Sequence, residues 1–367
     1  MEPVRRRFAR GLHAPLPAAS EPRNGPRALG PAPAAQPLPR WISVAGLEFG
    51  TQLTGFCNAF PGRLGHDYFL NRTATFEKLA QAGFRSFRIP FRWERIQPHL
   101  QAPLDPDGVQ HLRLLINLAR RAGGEVLLDL HNYGRYVQNV NGEATECGLE
   151  EEFDGEVLVG AHHLADLWAR MAHAFSGIPG ILGYGLMNEP HDLPDGAWVS
   201  ASKAASSAIR AEGDRTPLYV AGDRWSSAAH WDEVNPAAPW IDDPLGLVTY
   251  EAHCYLDHNG SGEYRHSYAE ELEMDPDLEE RGEKRLEPFL KWLEEHGAKG
   301  FLGEFAVPAK DPHWCALLPK VLDRLDGARV QTAWWAAGER WGDYPLSLQP
   351  RHDAEKTQLA LGHLFRS

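Results

Sequence analysis

The chain has 367 residues, a globular composition with enough apolar side chains for a large core, and a net charge of −13. With no basic patch standing out, that acidity argues against a nucleic-acid partner, and no run is long and apolar enough to cross a membrane. The length admits one large domain or two ordinary ones. Twelve Trp residues suit the binding of neutral, flat-faced ligands such as sugars, and equally suit a large core. Cys57, Cys147, Cys254 and Cys315 are widely spaced, with no Cys-x-x-Cys, so neither a zinc ribbon nor a redox motif is present. An even count permits disulfides without requiring them.

Residues 1–40 stand apart. Arg5, Arg6, Arg7 and Arg10 precede a stretch rich in Pro, Ala and Gly that holds almost no large apolar residue. Such a segment buries no core and is predicted to be disordered, leaving one folded domain over residues 41–367. Its basic start is like that of a signal peptide, but no apolar stretch of the needed length follows. The compartment stays open.

From Trp41 onward the pattern has a regular beat. Strand-like runs fall at Ile42–Gly50, Phe84–Phe91, Glu125–His131, Ile181–Glu189, Pro217–Asp223, Leu247–Tyr255, Gly300–Ala306 and Val330–Gly338. Helical spacing separates them, most clearly at Leu112, Leu115, Ile116 and Ala119, at Leu164, Leu167, Trp168, Met171 and Phe175, and at Leu318, Val321, Leu322 and Leu325. Further helical segments are predicted over Leu70–Ala82, Gly196–Glu212 and Arg281–His296, with a short one after Trp225 and a last one from about Asp353. Eight alternations in roughly 320 residues predict an α/β fold, a (β/α)₈ TIM barrel in a single domain. An open doubly wound sheet calls for a Gly-x-Gly-x-x-Gly turn after its first strand, and none is there.

Barrel enzymes carry their chemistry at the C-terminal ends of the strands. Here those ends read Glu48, Arg88, His131 with Asn132, Asn188 with Glu189, Asp223, His253 with Tyr255, Glu304, and Trp334 with Trp335. Glu189 closes strand four and Glu304 closes strand seven, so the two can face each other over the barrel mouth. Two facing carboxylates suit glycoside hydrolysis, one protonating the leaving oxygen while the other attacks the anomeric carbon or activates water. Both cannot be ionised side by side without repulsion, so one must hold a proton near neutral pH. Arg88 can pair with a carboxylate, Asn188 can donate to a sugar hydroxyl, and His131, His253 and Tyr255 can set orientation and proton state. A Trp at 334 or 335 can floor the sugar site by stacking.

These residues together resemble glycoside hydrolase family 5, the cellulase-type clan of retaining barrel enzymes, from about Trp41 to the end. The resemblance rests on Phe87-Arg88-Ile89-Pro90-Phe91, Leu130-His131-Asn132-Tyr133, Leu186-Met187-Asn188-Glu189-Pro190, His253-Cys254-Tyr255, Gly303-Glu304-Phe305 and Trp334-Trp335. The stretch from Phe49-Gly50 through Pro61-Gly62 to Asp67-Tyr68 is similar to the start of endoglucanase members. The resemblance implies Glu189 as acid/base and Glu304 as nucleophile. Arg88, His131, Asn188, His253 and Tyr255 become the supporting shell, and Trp335 the sugar platform. Asn132, Tyr136, Trp225 and Trp341 are the remaining candidates for substrate contact. The implied activity is retaining hydrolysis, with an endo-β-1,4-glucanase first and a β-mannanase, xyloglucanase or other β-glycosidase as the alternative, because few loop residues decide among them. The expected partner is a β-linked polysaccharide or oligosaccharide, acted on by a monomer. Such a substrate implies secretion. The mechanism calls for no cofactor and no metal.

Two long segments depart from a minimal barrel. Gln138–Gly160 and the acidic Asp257–Glu283 follow strands three and six, and are expected to hang over the cleft as solvated decoration or as walls. Other reaction classes fit less well. A metal site built from His131, Glu189, His253 and Glu304 lacks His-x-His on the first strand and His-Glu-x-x-His anywhere. A serine hydrolase lacks Gly-x-Ser-x-Gly. A barrel that only binds carbohydrate has no need of both Glu189 and Glu304.

Overall fold

In the computed structural model, residues 37–50, 61–349 and 358–365 are described. The segment expected to be disordered (all but its last four residues), Cys57, and the start of the last predicted helix at Asp353 lie outside them. Eight parallel strands close into a barrel: β1 (Arg40–Val44), β2 (Ser86–Phe91), β3 (Glu125–Leu130), β4 (Ile181–Gly185), β5 (Leu218–Ala221), β6 (Val248–His253), β7 (Gly300–Phe305) and β8 (Gln331–Ala337). Each pairs with its sequence neighbours, and β1 pairs with β8 to complete the ring. Every predicted strand is present. The run Ile42–Gly50 is shorter than expected, because pairing stops at Val44 and the chain continues with a single bridge from Leu47 to Phe91.

The helices form where spacing and caps agree. Pro106–Arg121 starts on Asp105, whose carboxylate accepts from the Asp107 and Gly108 amides, with Pro106 in the first turn. It buries Leu112, Leu115, Ile116 and Ala119, the positions whose spacing predicts the helix. Ala161–Phe175 likewise buries Leu164, Leu167, Trp168, Met171 and Phe175. Burying side chains of that size stabilises the fold by about 1.5–3 kcal/mol each. Trp168 also aligns its helix with the site, its indole N–H donating to the Leu186 carbonyl (3.0 Å) just before Asn188 and Glu189.

The barrel interior is packed in layers. Trp41, Leu127, Tyr219 and Phe301, from β1, β3, β5 and β7, form an apolar floor, as alternate strands do in such barrels. One interior position further along β3 and β6 the character changes to Asp129 and Glu251, both fully buried. Charge thus begins inside the barrel, below the mouth.

The two long segments are folded elements. Residues Arg135–Val140 and Glu143–Gly148 pair as an antiparallel hairpin, and Glu152–Phe153 with Glu156–Val157 make a second, smaller one. The segment after β6 contains the helix Tyr268–Met274, opened by a capping box at Ser267 and Glu270. Among the described residues no helix is long and apolar enough to cross a membrane. Cys147, Cys254 and Cys315 are buried free thiols.

Candidate active site

Glu304 owes its aim to an irregularity in β7. Ala252 pairs with Leu302, but the next partner of β6, His253, is Glu304, so Gly303 is an extra residue and the strand bulges there. A bulge re-aims the side chain beside it. Glu304 is 5 % exposed. Arg88 Nη1 donates to its Oε1 at 3.0 Å and the Tyr255 hydroxyl donates to its Oε2 at 2.8 Å. Burial pushes its pKa up and Glu189 adds to that, while His253 and Arg88 pull it down.

Glu189 stands just beyond β4 in the left-handed region, at φ +41°. That backbone costs a non-glycine residue about 1–3 kcal/mol and recurs where geometry serves function. Neighbouring backbone bonds fix it: the Asn188 amide donates to Leu130 (2.7 Å), and the Trp225 amide donates to Pro190 (3.1 Å). His253 Nδ1 lies 2.7 Å from Glu189 Oε1 and 3.8 Å from Glu304 Oε2. One carboxylate oxygen of each Glu and a ring nitrogen of His253 all fall within 4.8 Å of one another.

Three such atoms could hold a metal ion by distance alone. Their surroundings suit protons better, because Glu304 already accepts from a guanidinium and a phenol, and His253, held protonated by the carboxylates around it, has no lone pair to offer a metal. Arg88 is the hub. It is fully buried and also touches Asn188 Oδ1 (2.6 Å), Asp129 (3.2 Å) and Glu251 (3.2 Å). Burial opposes its charge, and Asp129, Glu251, Glu304 and Glu189 more than restore it.

The two site histidines differ. His253 is raised to about 10, because Glu304, Glu189 and Glu251 outweigh the burial that disfavours its charge. His131 is pushed well below its usual value by burial, with Arg88 and Arg92 adding to the effect against Glu304. Its Nδ1 meets Asp129 at 2.8 Å, and its ring stacks on Trp335 with centroids 5.1 Å apart and planes 5° from parallel.

The model of the cellulase family, glycosyl hydrolase family 5, matches residues 44–340. The chain belongs to that family. Among similar proteins is endo-β-1,4-glucanase B of Emericella nidulans, 29 % identical over 84 % of this chain and 85 % of the relative. The structure of Pseudomonas stutzeri endoglucanase Cel5A in complex with cellobiose is 36 % identical, with a TM-score of 0.76 over 90 % of this chain and 96 % of that one. An endo-β-1,4-glucanase of Xanthomonas axonopodis pv. citri is 28 % identical, with a TM-score of 0.75 over 89 % and 98 %.

In this family member Arg88, His131, Asn188, Glu189, His253, Tyr255, Glu304 and Trp335 converge on one mouth. Trp334 does not join them; it is buried, with its indole N–H donating to the Leu346 carbonyl. Trp341 is half-buried, stacked on Tyr344 and edge-on to Trp335, so it braces the platform from behind. Trp225 is 46 % exposed, the largest exposed apolar side chain among the described residues, and stacks on His191 at 4.4 Å. It lines a cleft of about 820 Å³ together with Glu189, His230, His253, Tyr255 and Ser261. The segment after β6 therefore supplies cleft wall through Asn259, Gly260 and Ser261, whereas the hairpin after β3 does not line this cleft.

Two expected sugar contacts are corrected. Asn132 is fully buried: its Oδ1 accepts from the Trp93 amide, and its Nδ2 donates to Glu94 and to the Arg135 carbonyl. Tyr136 is 2 % exposed, its ring edge-on to Trp93 and its hydroxyl donating to the Gln97 carbonyl. Both tie the hairpin to the short helix Trp93–Ile96 and have no surface left for a ligand. The sequence assigns no role to Asp129, Glu251 and Tyr344, nor to Gly303 beyond its place beside Glu304. For the first two a signal existed: each is a carboxylate inside an apolar strand, two residues before a site histidine and so on the same face.

Proposed function

We propose that this chain is a retaining endo-β-1,4-glucanase in which Glu304 is the nucleophile and Glu189 the acid/base. The observation that carries it is the pair of carboxylate oxygens within 4.8 Å of each other. Inverting enzymes separate the two groups by about 6.5–9.5 Å to admit a water, whereas retaining enzymes bring them to about 5–5.5 Å.

Arg88 and Tyr255 favour the ionised Glu304, since both donate to it. The Glu304 carboxylate attacks the anomeric carbon, and the glycosidic oxygen takes the Glu189 proton as its bond to that carbon breaks. The glycosyl ester on Glu304 then forms as the leaving sugar departs. In the second half Glu189, now ionised, takes a proton from water, the oxygen attacks the same carbon, and Glu304 leaves as carboxylate. Two inversions return the original anomeric configuration.

The leaving sugar belongs on the acid's side. The 820 Å³ cleft is lined by Glu189 and not by Glu304, so Trp225 sits where that sugar would lie. Trp335, stacked on His131, floors the opposite side, where the covalently held sugar would rest. Relatives named endo-β-1,4-glucanase, and a structural neighbour solved with cellobiose, support a β-1,4-glucan as substrate. The test is hydrolysis of carboxymethyl cellulose, barley β-glucan, xyloglucan, galactomannan and xylan by wild type and Glu304→Gln. Turnover of the glucans that disappears in the variant is expected. Turnover of galactomannan alone would keep the chemistry and overturn the substrate.

A further inference from the structure

Glu251 is not among the residues that line the cleft beside Glu189, yet it sits between the two halves of the site. It is 2 % exposed, on β6 two residues before His253. One oxygen, Oε1, lies 3.2 Å from Arg88 Nη2 and 3.3 Å from His253 Nε2. Arg88 holds Glu304 and His253 holds Glu189, so a single oxygen joins the partners of both carboxyls.

The neighbouring strand is built to admit it. A Cβ at Gly303 would overlap the Glu251 carboxyl group, so the residue that forms the β7 bulge is also the notch into which Glu251 fits. Placing a carboxylate inside a barrel is costly unless it is paired. Burial does push Glu251 up, but Arg88 and His253 outweigh it and hold it ionised. The other titratable groups that interact with it are Asp129 on β3 and Tyr219 on β5.

We propose that Glu251 is a positioning residue for the reaction: it links Arg88 to His253 and keeps both ring nitrogens of His253 protonated. Each ring nitrogen faces a carboxylate oxygen, Nδ1 toward Glu189 and Nε2 toward Glu251, and only the imidazolium donates to both. With Nε2 anchored, the ring plane is fixed and Nδ1 stays aimed at Glu189 through both half-reactions. When Glu304 becomes an ester and loses its charge, Glu251 remains to balance Arg88 and His253.

This rests on the hydrolase reading above, and ring protonation tests it without relying on turnover. In Glu251→Gln, which keeps the shape and removes the charge, kcat should fall on the order of 10–100-fold with KM little changed. Nitrogen-15 NMR of labelled histidine should show His253 doubly protonated at pH 8 in wild type and losing a ring proton at lower pH in the variant than in wild type. Gly303→Ala, which crowds the carboxylate out of its notch, should reproduce both effects. A variant that loses activity with an unshifted His253 ring would reduce Glu251 to a packing role and overturn the proposal. Should the variants fail to fold, a wild-type His253 with only one protonated ring nitrogen at pH 7 contradicts it outright. Absence of hydrolysis by wild type would sink the hydrolase reading alone, since the ring measurement still reports the link.

Discussion

The ends of β3 and β6 carry the same short pattern, a carboxylate, an apolar residue and a histidine, and they behave oppositely. Asp129-Leu130-His131 and Glu251-Ala252-His253 are both buried, and each histidine meets its own strand's carboxylate. His131 faces Arg88 and Arg92 and has an aromatic platform on one side, so its ring stays neutral. His253 is enclosed by three carboxylates and keeps its charge to about pH 10. The carboxylates divide as well: burial raises Asp129 to about 7, whereas Arg88 holds Glu251 below its usual value. Identity and burial alone do not set a histidine's charge; the surrounding charges decide it.

Substitutions at the reacting groups give the largest effects. Glu304→Gln should lower kcat/KM by about 10⁴-fold or more, and azide should rescue Glu304→Gly with an inverted product. Glu189→Gln should cost about 10²–10⁴-fold, with less loss on substrates whose leaving group needs no proton. Next comes the direct test of the two strand ends. His253→Gln should reduce kcat by about 10²-fold, and His131→Gln by about tenfold, because only the first removes a charge from the proton network. Equal losses in the two variants would erase the distinction.

The contrast also predicts a pH dependence of stability. The folded-state value of His253, about 10, lies above its ordinary 6.5, so its proton contributes stability that is complete below about pH 6.5. That contribution disappears as pH rises through about 10. The melting temperature of wild type should therefore drop more steeply than that of His253→Gln over this interval. The smallest effects concern the sugar platforms: Trp335→Ala should weaken substrate binding by about 1–3 kcal/mol, and Trp225→Ala by about 1 kcal/mol, read as KM on a soluble glucan.

The barrel was legible because its strands are short apolar runs that end in polar groups, and Glu189 and Glu304 stand at two of those ends. Convergence of Arg88, Asn188, His131, His253 and Tyr255 follows from strand order alone. The hairpin after β3 carries no clear strand pattern, since its strands are polar and half-exposed. Its turn did carry a signal: Asn141-Gly142, with φ of +53° and +92°, is a favoured pair for a two-residue hairpin turn. Tyr136 and Asn132 follow a strand end closely, which places them at the mouth by sequence, but sequence distance does not say that the hairpin folds them back onto Trp93. Asp129 and Glu251 have no role by sequence because a carboxylate within an apolar strand has no assigned partner until Arg88 is placed beside it.

The most direct test of the account is the anomeric configuration of the first product. Proton NMR during early hydrolysis of a soluble cello-oligosaccharide should show the β anomer accumulating before mutarotation, as two displacements at one carbon require. Early release of the α anomer would mean a single displacement by water, and would contradict the role proposed for Glu304.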